Sequence, residues 1–203
     1  MRKILIIFAH PVLEKSRVHK RLLHYIPQQV GITLNDLYEN YPDFDIDVKR
    51  EQELLAAHDI IIWQHPLYWY SAPALLKQWQ DLVLEHGWAY GKNGYALKGK
   101  KVFNVITSGG SLQAYQREGY QQCTINEVLK PYERTAELCR MTYLPPFWVS
   151  GTHKLELPHI NEYGHKYNQL LLRLRQEELK DEEMMQASCL NDLIETTTQN
   201  NLA

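Results

Sequence analysis

Two short runs constrain this chain more than any other feature: Ile4 to Ala9 (ILIIFA) and Asp59 to His65 (DIIIWQH). Both are apolar without alternation, rich in β-branched residues, and too short to cross a membrane. A strand that is apolar on both faces has to be covered on both, which is the situation of a central strand in a parallel sheet. Parallel neighbours need a crossover, usually helical. The rest of the chain supplies the crossovers. Ser16 is placed to cap a helix running through Leu22, Leu23 and Ile26 to Pro27. Ile32 to Leu37 reads as a second strand and Val48 to His58 as a short helix, with Tyr38 to Asp47 as loop between them. Pro73 sits where a proline opens a helix, and Leu75, Leu76, Trp79, Leu82 and Val83 follow at helical spacing. Gly87 to Gly99 reads as loop, and Lys101 to Thr107 as a fourth strand. Ile125 to Cys139 reads as a helix with Pro131 in its first turns or at a kink, Met141 to Val149 as a fifth strand region despite Pro145-Pro146, and Ile160 to Lys180 as a final helix. Residues 1–180 therefore form one domain, and 181–203 read as a polar C-terminal tail, frayed or disordered.

Five alternations of strand and helix are the pattern of an α/β doubly wound sheet with right-handed crossovers. Ligands of such sheets bind beyond the carboxyl ends of the strands where the strand order reverses. That directs attention to the loops after strands one, three and four. The first, His10 to His19, has no dinucleotide fingerprint and no Walker pattern. It offers a hydroxyl, Ser16, and the backbone N–H groups of a helix start, an anion site in waiting, with Arg17, His10 and His19 as further donors or charges. Ser16 reads equally well as a simple cap. The second loop, His65-Pro66-Leu67-Tyr68-Trp69-Tyr70-Ser71, has three consecutive aromatics that cannot all face one core. They suit a pocket for a flat ring or an aromatic dimer interface, and the two are compatible. The third, Thr107-Ser108-Gly109-Gly110, allows close backbone approach and N–H donors toward a ligand that gains negative charge on reduction, although alone it also reads as a turn.

A net charge of −2 without a basic stripe argues against nucleic-acid binding. Three widely spaced cysteines, Cys123, Cys139 and Cys189, make a disulfide framework improbable and fit a reducing, cytoplasmic setting. Asp43 to Asp47 lacks the ligand spacing of a calcium loop, and His153, His159 and His165 share no helix face, so surface or loop roles are expected for them and no metal site. Lys130, Arg134 and Arg140 read as a solvated face of the fourth helix.

The motifs AHP (9–11), LYENYPDFDID (37–47), QHPLYWYSAPALLKQW (64–79), HGWAYG (86–91), TSGG (107–110) and CRMTYLPPF (139–147) extend the reading. On these the sequence resembles the flavodoxin-like NAD(P)H quinone reductases, the group that includes DT-diaphorase. It is most similar to the ancillary flavoproteins of bacterial glutathione-gated potassium-efflux systems. The resemblance spans roughly Lys3 to Gln176. It implies a flavodoxin-like fold of five parallel strands in the order 2-1-3-4-5 with helices on both faces. It also implies an FMN-binding homodimer that passes two electrons from NADH or NADPH to a quinone by a ping-pong scheme. His10 and Ser16, Arg17, Val18 and His19 map onto the family's phosphate loop. Leu67, Tyr68, Trp69 and Tyr70, with Thr107, Ser108, Gly109 and Gly110, map onto its ring-binding segments. Tyr115 maps onto a tyrosine that assists hydride transfer, while the histidine that partners it would fall at Gln121, where this chain departs from the pattern. A second reading is a regulatory subunit docked on a potassium/proton antiporter at the inner face of the cell membrane, with little physiological reductase activity. A third, a one-electron carrier, fits poorly with the modest charge and the extra loop from Gly87 to Gly99.

Overall fold

The computed structural model describes residues 1–194. The strands are β1 (Ile4–Phe8), β2 (Ile32–Asp36), β3 (Ile60–Pro66), β4 (Lys101–Thr107), β5 (Thr142–Tyr143) and β6 (Phe147–Val149). All pair in parallel in the order β2-β1-β3-β4-β5, with β6 also on β4. This is the order expected from the resemblance. The helices are α1 (Arg17–His24), α2 (Leu37–Asn40), α3 (Val48–Ala57), α4 (Ala74–Val83), α5 (Ile125–Val128), α6 (Lys130–Leu138), α7 (Leu157–Gln176) and α8 (Asp181–Gln186).

Because side chains alternate along a strand, each central strand feeds two cores. Leu5, Ile7, Ile61, Trp63, Val102 and Ile106 pack with Leu55, Leu76, Trp79 and Tyr132 on one face. Ile4, Ile6, Phe8, Ile62, Phe103 and Val105 pack with Leu22, Tyr167, Leu170 and Leu171 on the other. Short polar caps set where the helices begin. Ser16 Oγ accepts from His19 N at 3.1 Å, Asp47 Oδ1 from Arg50 N at 3.0 Å, and Thr124 with Glu127 forms a capping box on α5.

Four expectations need correction. The stretch from Tyr38 is not all loop, because Asp36 caps the N–H groups of Tyr38 and Glu39 and starts α2. The helix from Ile125 is two helices that meet at Leu129, with Pro131 in the first turn of the second, where its missing N–H costs nothing. The fifth strand region is split by Leu144 to Pro146 into β5 and β6. Residues 181–194 are no tail. Met184, Leu190 and Ile194 are buried in the α1–α7 core, and the Asn191 side chain exchanges two hydrogen bonds with the Trp148 backbone (2.8 and 3.0 Å), covering the outer edge of β6. The rest of that expected tail, 195–203, lies outside the described residues. Lys130, Arg134 and Arg140 are exposed, as read from the sequence, and Arg140 has a further role. It follows α6, donates to the carbonyls of Gly94 and Gly91, and lies over the Tyr95 ring, tying down the loop from Gly87 to Gly99.

Candidate functional site

The carboxyl ends of β1, β3 and β4 open into one cavity of about 490 Å³, within the size range of small-molecule sites. Its wall combines His10, Val12 and the start of α1 (Lys15 to Val18) with Pro66, Leu67 and Tyr68, and with Thr107 and Gly109. The loops after strands one, three and four thus meet as anticipated. The wall also contains Thr152, which the sequence did not single out, and His153, for which only a surface or loop role was expected; both follow the fifth strand region.

At the α1 end, Ser16 Oγ is already engaged by the His19 N–H. The N–H groups of Arg17 and Val18 precede any intrahelical acceptor and remain as donors beside the cavity. The Arg17 guanidinium donates to Leu155 O at 2.7 Å, which anchors its charge at the rim. His10 Nδ1 accepts from Val12 N at 3.2 Å, so the neutral ring carries its proton on Nε2. Burial lowers the pKa of His10. His19 lies beneath the wall, fully buried, and not among the residues that line it.

The aromatic loop makes a tight turn. Tyr68 and Ser71 exchange backbone hydrogen bonds of 3.1 and 2.9 Å, and the residues between them, Trp69 (φ 50°) and Tyr70 (φ 60°), are both left-handed. Two consecutive positive φ angles are what Asn-Gly supplies cheaply in such turns. Bulky residues held there cost on the order of 1–3 kcal/mol each. Trp69 is nonetheless 93% exposed, and Tyr70 reaches over to donate to Gln121 Oε1 at 2.9 Å. The strain is stored in an exposed aromatic turn at the rim of a cavity. Replacing Trp69-Tyr70 by Asn-Gly should raise the unfolding free energy by about 1–2 kcal/mol while weakening whatever ring the cavity holds. Denaturant melts and a ligand titration of the double variant measure both, and a less stable variant would refute the strain.

In the third loop the glycines serve packing as well as access. A Cβ on Gly109 would lie 2.4 Å from His153 Nε2, and one on Gly110 would lie 2.9 Å from the Tyr115 ring. The Ser108 hydroxyl is spent internally, donating to Gly110 O and accepting from Trp148 Nε1, both at 2.9 Å. Tyr115 stands edge-on to Trp148 at 5.6 Å and does not line the cavity. Burial, followed by its neighbours Tyr70 and Cys123, raises the Tyr115 pKa, so the phenol keeps its proton. No group of three or more His, Cys, Asp and Glu side chains suited to a metal occurs among the described residues, and no helix there is long and apolar enough to cross a membrane.

A family profile described as a flavodoxin-like fold matches residues 2–171. The glutathione-regulated potassium-efflux system ancillary protein KefF of an Enterobacter species is 42% identical over 169 residues, 83% of this chain and 95% of its own length. Among solved structures, general stress protein 14 of Treponema denticola, in complex with FMN, is 40% identical with a TM-score of 0.81, covering 85% of this chain and 99% of that one. A P. pentosaceus NADPH-quinone reductase is 37% identical with a TM-score of 0.75, covering 82% and 96%.

Proposed function

The chain belongs to the flavodoxin-like fold family, and on that premise we propose that it is an FMN-dependent NAD(P)H:quinone oxidoreductase. The observation that carries the reading is the convergence of helix-start N–H donors, an aromatic turn and a glycine loop on one cavity at the strand ends. The cavity is polar at one end and aromatic at the other, as a phosphate joined to a flat ring requires. When bound, FMN supplies two-electron chemistry, in which NAD(P)H, a proton and a quinone become NAD(P)⁺ and a hydroquinone in two successive visits to one site.

The residues of the chain bind and orient. The N–H groups of Arg17 and Val18 hold the phosphate at the start of α1, a favourable place for an anion. Tyr68 and Leu67 would flank the ring, and the Gly109 backbone would face its polar edge, the Ser108 N–H being donated to Val149 O. Tyr115, protonated and packed behind Gly110 outside the cavity wall, backs the loop that would face that edge, and position 121 is a glutamine. Trp69, Tyr70, Leu112 and Tyr120 leave exposed apolar surface beside the site, which a second copy of the chain would cover as a homodimer. The protein is proposed to act in the cytoplasm.

The test is purified protein reconstituted with FMN and supplied with NADH or NADPH and a benzoquinone. Stoichiometric flavin and acceptor-dependent oxidation are expected, and bound flavin without turnover would overturn the enzymatic reading. Ser16→Ala should cost about 1 kcal/mol of stability through the lost cap. By freeing the helix start to fray, it should also weaken FMN binding about tenfold, a loss of about 1.4 kcal/mol, measurable by flavin fluorescence quenching. A second reading, favoured by the 42% identity to a potassium-efflux ancillary protein, is regulation of an antiporter by docking on its cytosolic part. Co-purification with that part, retained in a variant that binds no flavin, is its expected signature.

A further inference from the structure

Beneath the cavity, side chains from four elements form one line of hydrogen bonds. Tyr167 of α7 donates its hydroxyl to Gln64 Oε1 on β3 at 2.8 Å. Gln64 Nε2 lies 3.5 Å from His19 Nδ1 on α1. His19 Nε2 lies 3.1 Å from Thr107 Oγ1 at the end of β4. Tyr167, Gln64 and His19 are fully buried, while Thr107 reaches the cavity wall.

Counting protons gives the line a direction. Among the described residues the partner of the Tyr167 hydroxyl is Gln64. With the amide turned end for end, Gln64 would donate to Tyr167 and leave the tyrosine proton buried without an acceptor, an expensive state. The amide therefore offers N–H to His19. His19 Nδ1 then accepts, so the ring proton sits on Nε2 and points to Thr107 Oγ1, the His65 backbone carbonyl being the competing acceptor. The threonine oxygen is then satisfied from within, and its own proton is left for the cavity.

The other face of the sheet carries a line of the same make-up. Tyr143 donates to Asn104 Oδ1 at 2.6 Å, Asn104 Nδ2 lies 3.0 Å from His65 Nε2, and His65 Nδ1 lies 2.9 Å from Pro66 O. A carbonyl can only accept, so this line also runs from tyrosine through amide and imidazole toward the strand end.

We propose that Tyr167, Gln64 and His19 are positioning residues that hold the Thr107 hydroxyl as a hydrogen-bond donor to an acceptor atom of the cofactor. The inference rests on the reading of the cavity as a flavin site. In flavin-free protein, ¹⁵N NMR at neutral pH should find His19 neutral with its proton on Nε2. A proton on Nδ1, or on both nitrogens, overturns the wiring without any variant. For FMN affinity, Thr107→Val should lose about tenfold and Thr107→Ser should stay within about twofold of the parent. Tyr167→Phe should lose about threefold in the parent and nothing further in the Thr107→Val background, because it acts through that hydroxyl. Equal losses in both backgrounds would mean that Tyr167 matters only for packing, and would overturn the proposal. A protein that binds no FMN overturns the cofactor reading instead, while the His19 tautomer still decides the wiring.

Discussion

Glu51→Ala should lower the unfolding free energy by about 3–5 kcal/mol, the usual cost of removing one member of a buried charged cluster. Glu51 is fully buried. Its carboxylate accepts from Asn35 Nδ2 at 2.6 Å, Tyr41 Oη at 2.7 Å, Trp79 Nε1 at 2.8 Å and the Arg50 guanidinium. Those partners come from β2, the end of α2, α3 and α4, so one carboxylate joins four elements. Burial, together with donation to Glu51, pushes the Tyr41 phenol up to about 12. Alanine leaves Asn35, Tyr41 and Trp79 with buried donors and no acceptor. Glutamine keeps the volume but sets an NH₂ against donors, so its loss should be intermediate. For a chain of this size the alanine variant should melt roughly 10 °C lower. Because α4 follows the strained aromatic turn, its loosened seat should also weaken cofactor binding. A loss below about 1 kcal/mol in urea melts would show that water satisfies the abandoned donors.

How much of this was legible beforehand follows from what each segment buries. β1, β3 and β4 announce themselves because both faces are covered, and β4 has the very limits its sequence suggests, Lys101 to Thr107. The strand order is not written in any one segment and came with the resemblance. α2 was hidden because four residues show no period, and only the Asp36 cap marks it. The buried role of residues 181–194 was hidden because three apolar side chains, Met184, Leu190 and Ile194, are spread through a polar stretch with no regular spacing. In the site, the loop choice rested on strand-end chemistry, and the fold brings the loops after strands one, three and four to one cavity, with His10, Ser16, Arg17, Val18, Leu67, Tyr68, Thr107 and Gly109 in its wall. His153 was given only a surface or loop role and Thr152 none, because the loop after strand five was not weighed as a ligand loop, and a histidine directly after Gly151-Thr152 was the available signal. His19 and Ser108 were read as facing a ligand when both are turned inward, since nothing in sequence separates a polar residue that lines a wall from one that supports it.

Acid should unfold this protein through two buried histidines. His65 and His19 are fully buried, and desolvation holds both pKa values down, His65 to about 4 and His19 well below its ordinary 6.5, the latter also through His10 and His65. In the unfolded chain both imidazoles take a proton near 6.5. Below that pH the unfolded state binds more protons than the folded one, so stability falls as pH falls, beginning near 6.5 and continuing for His65 to about 4. For His65 alone the window amounts to about 3 kcal/mol, and His19 adds in the same direction. Asp36 opposes them, because burial raises its pKa and acidification relieves that cost. The two histidines outweigh one half-buried carboxylate, so the net slope should keep its sign. Flavin should leave in the same window. A proton on His19 Nδ1 would face Gln64 Nε2, break the line to Thr107 and remove the support of the cavity wall. Urea melts at successive pH values from 7 to 4.5, followed with free-flavin fluorescence, should give midpoints that fall together with retained FMN. A midpoint that stays level across that range would mean that the buried imidazoles are not held neutral by the fold.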